Sequence, residues 1–556
     1  MNKKVCSFPI LFALLALLIG TCAVVFPASA QAAPTSTGSI TVSGTVARSY
    51  DAYQIFSANV VDGDSDAKTA TDLAWASDAA RDAVLPVLHS AGMPNSQTTA
   101  QEAAEWLNTD SHLTSALSAQ LARSLQSSGA VSVALNAGTT TELPCGYWLI
   151  VADDDAIAQN EAATAPIMAL VGGGAVTVKP KAATPKVVKH VLEDGTAAWQ
   201  KAADATVADD LYWRLSATVP AGLTAYDTYT VRFVDTMSAG LDPSKVATSM
   251  RVYVAAGADG GFDAVSAGKD GRAGTEPAKG WTDITAQCAT KVAADGKTFT
   301  VRTGDLIAAL GGADAFTAGA RVVAVYNAPL NGACNHGIAK GNPNEVYLRY
   351  PRSPFADQSG DAGFTRTPSD DACAYTWDLA LTKRGSDGDK PLAGAVLSIA
   401  DDRGRTLAAD GTWDAEGKAT VTTGEDGRVA VSGVDSGKLE VRELKAPKGY
   451  TAFEGARSVT VKAEGLDVDQ VAAAKPKLTI TAESPLRADS ADGSTGSLEA
   501  SLINTPTGTP PSITTGGFMP STGDMAMYAA AAAAVAGAAL IVVALLVKRG
   551  GGSHKE

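Results

Sequence analysis

The stretch TWDLALTKRGSDGDKPLAGAVLSIADD, residues 376–402, decides how the C-terminal third of the chain folds. Its two ends, TWDLALTKR and AVLSIADD, have the composition of β-strands, and the segment between them, rich in Gly, Asp and Pro, favours a turn. Five further strand-like segments follow as far as Asn504, and the glycines between them suit hairpin turns. The pattern predicts a β module over residues 375–506.

Two more β modules precede this one. Residues 182–374 contain strand-like segments such as VVKHVL and RVVAVYNAPL, and their last part, residues 351–374, is polar enough to predict a linker. Residues 31–181 also contain strand-like segments, but between about Asp72 and Leu125 the apolar residues recur at three-to-four spacing. Thr99 with Glu102 has the spacing of a capping box, so we predict two or three helices inserted in this β module. The predicted fold class is all-β, with tandem immunoglobulin-like β-sandwich modules in a rod.

Both ends of the chain have the composition of targeting segments. Residues 1–30 combine two lysines, an apolar run and small residues before a cleavage position, which is typical of a secretory signal peptide. Residues 507–518 form a Pro/Thr/Gly spacer. Residues 527–547 are apolar and uncharged, long enough for a transmembrane helix, and the basic tail behind them would stay cytoplasmic. These features predict an exported chain tethered near its C-terminus.

The pentapeptide Met519-Pro520-Ser521-Thr522-Gly523 stands just before the apolar segment. Pentapeptide, span and basic tail together resemble the cell-wall sorting signal of Gram-positive surface proteins, written LPXTG, with Met in place of Leu. In that family the transpeptidase sortase cuts between Thr and Gly and passes the acyl group to an amine. The resemblance implies that residues 519–556 are a sorting signal cut after Thr522, and a plain single-span anchor is the alternative.

The third module carries a second resemblance. KLEVRELKAPKGY is similar to the E-box of Gram-positive pilins, and the segments LTKRGSDGDKPLAGAVLSI and SLINTP resemble the first and last strands of a Cna protein B-type, SpaA-like domain. The resemblance implies an isopeptide bond between Lys383 and Asn504, assisted by Glu443. Burial would keep the amine neutral and nucleophilic, and a protonated acid could polarise the amide carbonyl. The alternative is a surface Lys, a surface Glu and a turn Asn.

The second module resembles the pilin domain that uses the same chemistry with Asp. TPKVVK, YTVRFVDTMSAGL and GNPNEVYLRY are similar to its lysine, acid and asparagine strands. The resemblance implies Lys189 as nucleophile, Asp235 as acid and Asn344 as partner. The family often continues its closing strand with Ser-Asn-Asn-Pro, whereas this chain has PRSP at residues 351–354.

The end of the first module, AVTVKPKAATP, resembles the pilin motif, whose core is VxVxPK. In that family the motif lysine receives the sortase-bound Thr of the next subunit. The resemblance therefore implies an intersubunit bond between Lys181 and Thr522. Lys179 and Lys186 are the alternative acceptors, and an ordinary solvated linker lysine is the remaining interpretation.

Composition limits the classes of partner and of site that the chain is expected to have. The net charge of −14 argues against nucleic acid. Four cysteines remain after the signal peptide and allow three pairings, of which Cys288–Cys334 is favoured, with Cys373 left free. The five histidines are scattered without a metal-binding spacing, so we expect no metal and no cofactor. No nucleophile constellation typical of an enzyme is evident.

Taken together, the chain resembles the backbone pilin of a sortase-assembled Gram-positive pilus. The resemblance implies a structural subunit rather than an enzyme, secreted and held in a cell-wall pilus after a transient single-pass membrane stage. The implied partners are a class C-type pilin sortase, a housekeeping sortase, other copies of the chain, accessory pilins, peptidoglycan, and a host glycan or matrix ligand. The alternatives are a monomeric wall-anchored adhesin with isopeptide-stabilised modules, a minor pilin and a secreted hydrolase.

Overall fold

The computed structural model describes residues 36–44, 46–63, 67–109, 111–163, 165–181, 184–220, 223–257 and 280–508. The predicted signal peptide, the MPSTG pentapeptide and the apolar segment 527–547 lie outside these residues. Within them, no helix has both the length and the apolar character needed to cross a membrane. The described residues fold mainly into β-sheets, as predicted for the fold class.

The first module combines two β-sheets with a helical insertion. Its elements are β1 (Thr37–Val42), β2 (Ser49–Asp62), β3 (Lys68–Trp75), α1 (Asp78–Ser90), α2 (Ala100–Asn108), α3 (Ser115–Ser127), β4 (Ser132–Asn136), β5 (Thr140–Pro144), β6 (Gly146–Ala152), β7 (Ile167–Val171) and β8 (Val176–Val178). One sheet has the order β5-β1-β8, and the other has the order β3-β2-β6-β7 with β4 beside β2. The helices stand where the apolar spacing predicts them, and the Thr99–Glu102 capping box is formed.

The second module is a sandwich of two larger sheets. Its elements are β9 (Val187–Glu193), β10 (Ala198–Gln200), β11 (Ala202–Asp204), β12 (Tyr212–Thr218), β13 (Arg232–Met237), α4 (Val246–Ser249), β14 (Arg251–Ala255), β15 (Thr282–Asp283), β16 (Ala289–Val292), β17 (Thr298–Arg302), α5 (Leu306–Ala309), β18 (Arg321–Asn327), β19 (Asn342–Pro351), β20 (Phe364–Arg366) and β21 (Asp370–Tyr375). The sheet orders are β10-β9-β12-β18-β14-β15 and β11-β21-β19-β13-β17-β16, with β20 beside β19. Trp213 and Tyr326 from the first sheet share one core with Phe233, Phe299 and Leu348 from the second.

The third module repeats the two-sheet plan. Its elements are β22 (Trp377–Gly385), β23 (Val396–Ala400), β24 (Thr406–Leu407), β25 (Trp413–Asp414), β26 (Val421–Thr422), β27 (Arg428–Val434), β28 (Gly437–Lys445), β29 (Tyr450–Thr451), β30 (Ala456–Glu464), β31 (Lys477–Ala482), β32 (Leu486–Asp492) and β33 (Ser497–Pro506). β22 and β33, the first and last strands, pair in parallel, so Lys383 lies beside Leu502 and Gly385 beside Asn504. The glycine-punctuated strands of the sequence therefore close into one module.

The prediction of a linker over residues 351–374 is wrong in part. Strands β20 and β21 occupy part of this segment and pair with β19 of the second module. Ala372, Cys373 and Ala374 are buried, and these small side chains fill the sheet interior although their polar neighbours give the segment a loop-like composition. Tyr375, predicted to begin the third module, ends β21.

The predicted Cys288–Cys334 disulfide is also wrong. All four cysteines of the described residues are free thiols. The Cys288 thiol donates a hydrogen bond to the Ile284 carbonyl at 3.3 Å, whereas the Cys334 sulfur lies 3.5 Å from a ring nitrogen of His336. Each sulfur thus has its own local partner, and a disulfide would need the two Cα atoms within about 7 Å with their side chains facing each other.

Candidate functional site

The third module buries a lysine, a glutamate and an asparagine together. Inward-facing positions of β22 place Leu379, Leu381 and Lys383 in the core, and the lysine side chain is wholly inaccessible to solvent. Lys383 Nζ lies 3.5 Å from Glu443 Oε1, which reaches across from β28 in the facing sheet. Asn504 Nδ2 donates to both oxygens of Glu443, at 2.8 and 3.0 Å. The predicted Lys383–Glu443–Asn504 set is therefore one contiguous cluster.

The environment of this cluster favours an uncharged amine. Burial lowers the pKa of Lys383 to about 8, against the opposing attraction of Glu443. Lys383 Nζ also donates to the Leu502 carbonyl at 3.3 Å, two residue pairs along the parallel ladder from Asn504. The carbonyl oxygen of the Asn504 side chain is buried and has no hydrogen-bond partner among the described residues. Attack of the amine on the Asn504 amide would place negative charge on this oxygen, so the reaction needs a proton donor there.

The second module buries an equivalent cluster with a shorter acid. Lys189, Asp235 and Asn344 are each wholly inaccessible to solvent. Lys189 on β9 forms an ion pair with Asp235 on β13 of the facing sheet. Asn344 lies on β19, which pairs with β13, so acid and amide share one sheet. Here too the three residues predicted from the sequence lie together in the structure, although they are far apart in the chain.

Burial shifts both charged groups of this cluster toward their neutral forms. It lowers the pKa of Lys189 to about 8, although Asp235 opposes the shift. Burial also raises the pKa of Asp235 above its ordinary value, although the attraction of Lys189 acts to lower it. A neutral amine beside a neutral acid is the combination that amide attack requires, because the amine supplies the lone pair and the acid supplies a proton.

Tyr326 is the site residue that the sequence analysis misses. It points inward from β18, and its hydroxyl contacts Lys189, Asp235 and Asn344. Its ring packs edge to face on Phe299 with the centroids 4.8 Å apart. In the sequence it is one aromatic residue in the strand RVVAVYN, and only the pairing of β18 with β12 and the facing of the two sheets reveal its position.

The three candidate acceptor lysines lie around the joint between the first two modules. Lys179 and Lys181 follow β8 directly, and Lys186 precedes β9. All three are exposed, as an intermolecular nucleophile must be. The backbone of Lys186 is already part of the second module, since its N–H donates to the Thr218 hydroxyl at 2.8 Å. Exposure alone does not separate the three, and Thr522 lies outside the described residues.

The described residues contain no group of His, Cys, Asp and Glu arranged to hold a metal ion. The cavity between the second and third modules, about 650 Å³, is lined by aspartates and by Arg403 and Arg405. Arg405 is already engaged with Asp209 at 2.5 and 2.7 Å and with Asp401 at 2.7 Å. The two Arg405–Asp209 contacts tie the second and third modules together.

Fold and site together define a chain of tandem β-sandwich modules, two of which bury a Lys–acid–Asn cluster. Within the third module, residues 378–475 match the family described as SpaA, prealbumin-like fold domain.

Several proteins of known sequence or structure are similar to parts of this chain. The trypsin-resistant surface T6 protein of Streptococcus pyogenes serotype M6 is 31% identical over 134 residues, which cover 23% of this chain and 23% of that protein. The solved T6 backbone pilin of that species, described as a modular three-domain structure, is 17% identical with a TM-score of 0.45, covering 85% of this chain and 98% of the other. The major pilin SpaD of Corynebacterium diphtheriae is 15% identical with a TM-score of 0.40, covering 85% and 98%.

Proposed function

We propose that the chain is the structural subunit of a covalently polymerised cell-surface pilus. The observation that carries the proposal is the pair of buried Lys–acid–Asn clusters. Burying a charged lysine costs several kcal/mol, and conversion of the amine to a neutral amide would remove that cost. The SpaA-type domain and the match to the T6 surface protein support it, because the T6 protein is described as a backbone pilin. The subunit acts by assembly and is a substrate of sortase, not an enzyme.

Within each subunit, the clusters would form isopeptide bonds. In the third module the neutral Lys383 amine attacks the Asn504 side-chain carbonyl, Glu443 assists the proton transfer, and ammonia leaves. In the second module Lys189, Asp235 and Asn344 take the same roles. The bond from β22 to β33 joins the first strand of the third module to its last, so a pull along the chain passes through a covalent link.

Between subunits, a class C-type pilin sortase would cut after Thr522 and pass its acyl group to Lys181 of the next copy. The exposed position of Lys181 beside the first module joint suits an acceptor that an enzyme must reach. A housekeeping sortase would then transfer the final subunit to peptidoglycan, with accessory pilins and a host glycan or matrix component as further partners.

A denaturing gel of wall extracts tests the polymerisation. The wild-type chain, produced with its sortase, should give a ladder of high-molecular-weight bands, and Lys181→Ala should reduce it to monomer. Lys179→Ala and Lys186→Ala are matched controls that should keep the ladder. A ladder that survives Lys181→Ala but disappears in one of the controls would move the joint to that lysine. Monomer from the wild type would favour the alternative, a monomeric wall-anchored adhesin with the same modules.

A further inference from the structure

The Tyr326 hydroxyl contacts every reacting group of the second-module cluster. It accepts hydrogen bonds from Lys189 Nζ at 3.0 Å and from Asn344 Nδ2 at 2.8 Å. It donates to Asp235 Oδ2 at 3.1 Å. Tyr326 is wholly buried, so no solvent water competes for these contacts. One hydroxyl therefore stands between the nucleophilic nitrogen and the nitrogen that must leave.

The strand register explains why this cluster needs a bridge. On β13 and β19, Asp235 pairs with Val346 and Asn344 pairs with Met237, so the two side chains are diagonal neighbours on one sheet face. Diagonal positions are about 7–8 Å apart, which is far for a short aspartate to span. In the third module the longer Glu443 reaches over from the opposite sheet and meets Asn504 directly. The Tyr326 hydroxyl thus makes in the second module the contact with the asparagine amide that the longer Glu443 makes in the third.

We propose that Tyr326 is a catalytic residue of the Lys189–Asn344 reaction, its hydroxyl relaying a proton from the attacking amine to the departing amide nitrogen. The proposal rests on the isopeptide bond proposed for this module. The Nζ–Cγ bond forms, the Cγ–Nδ2 bond breaks, and the products are a secondary amide and ammonia. The phenol gives its proton to Nδ2 while its oxygen takes one from Nζ, so it ends as it began.

The hydrogen-bond pattern is consistent with this relay. A planar amide nitrogen only donates, but it gains an accepting lone pair once Cγ becomes tetrahedral, and the hydroxyl can then turn from Asp235 to Nδ2. Burial raises the pKa of Tyr326 well above its ordinary value, so the group stays a phenol with a proton to give. Asp235 Oδ1 and Asn344 Oδ1 both lack partners among the described residues. The Tyr326 hydroxyl is therefore the link between Asp235 and the Asn344 amide.

The Tyr326→Phe variant of the full chain, produced without sortase and pulse-labelled, tests the proposal. Digestion and mass spectrometry at successive times would measure each cross-linked peptide and its loss of one ammonia. We expect the Lys189–Asn344 bond to form roughly 100-fold more slowly, the contribution typical of one proton-transfer group. The Lys383–Asn504 bond in the same molecules should form at the wild-type rate and serves as an internal control.

Tyr350→Phe is the matched control, because it removes another buried hydroxyl of the same module that has no hydrogen-bond partner among the described residues. It should leave both rates unchanged. Wild-type rates for both bonds in Tyr326→Phe would overturn the relay and leave the bond itself intact. A wild-type chain without the Lys189–Asn344 bond would overturn the bond and the relay together.

A fluorinated tyrosine at position 326 covers the case in which Tyr326→Phe does not fold. It keeps the hydroxyl and its shape but makes the phenol more acidic. A changed rate of Lys189–Asn344 bond formation would support proton transfer through the hydroxyl, and an unchanged rate would overturn it.

Discussion

Replacing Glu443 by Gln should leave the third module folded but without its internal bond. The substitution keeps the size of the side chain and both cross-linked residues, and removes only the acid that contacts Asn504 at 2.8 and 3.0 Å. Without this acid to assist proton transfer at the amide, Lys383 should remain a free amine. Once the mass difference between Glu and Gln is allowed for, the intact chain should then be heavier than the wild type by one ammonia.

The expected loss of stability follows from the length of chain that the bond closes. A cross-link between residues 383 and 504 removes loop-closure entropy from the unfolded state, worth about 5 kcal/mol by the relation used for disulfides of similar span. At about 4 °C per kcal/mol for a module of this size, the thermal transition of the third module should fall by about 20 °C. The free Lys383 left in the core adds to this loss.

Differential scanning calorimetry with parallel intact-mass measurement checks the prediction. Glu440→Gln is the matched control, because Glu440 lies on the same strand and bonds Arg442 at the surface. The control should keep the ammonia loss and the thermal transition of the wild type. A Glu443→Gln chain that still loses this ammonia would refute the catalytic role of the acid. A chain heavier by one ammonia with an unchanged transition would refute the stabilising role of the bond.

Three further predictions concern the same clusters and the cysteines. The Asn504→Ala variant keeps Lys383 as a buried amine with a pKa of about 8. Between that pKa and the ordinary lysine value the unfolded state binds more protons than the folded state, so the free energy of unfolding should rise with pH. Chemical denaturation from pH 7 to 10 should show this slope relative to the wild type, and equal slopes would contradict it. Asp235→Asn should abolish the Lys189–Asn344 cross-linked peptide while sparing the Lys383–Asn504 peptide; loss of both, or of neither, would argue against two independent reactions. Alkylation of the unreduced, denatured chain should label Cys145, Cys288, Cys334 and Cys373, since all four are free thiols, and an unlabelled pair would indicate a disulfide.

The clusters could be predicted from the sequence because their residues stand in segments that resemble the motifs of a known family. Lys383, Glu443 and Asn504 come from three such segments, and the structure places all three in the core. The helical insertion was predictable for a similar reason, since its periodicity and the Thr99–Glu102 capping box are local features.

What the sequence missed depends on tertiary contacts. The role of Tyr326 arises only when β18 faces β13 and β19 across the core, and no local pattern marks it. The strand β21 was hidden because alanines, which are weak strand formers, fill its buried positions. The Cys288–Cys334 pairing failed because assignment of cysteines to modules does not show where their side chains lie.

Mass spectrometry of a digested cell-wall fraction tests the central claim most directly. The account predicts a branched peptide in which the Thr522 carbonyl is joined to the Lys181 side-chain nitrogen of another copy. Finding Thr522 joined only to peptidoglycan, with Lys181 unmodified throughout, would contradict it and would make the chain a monomeric wall-anchored protein.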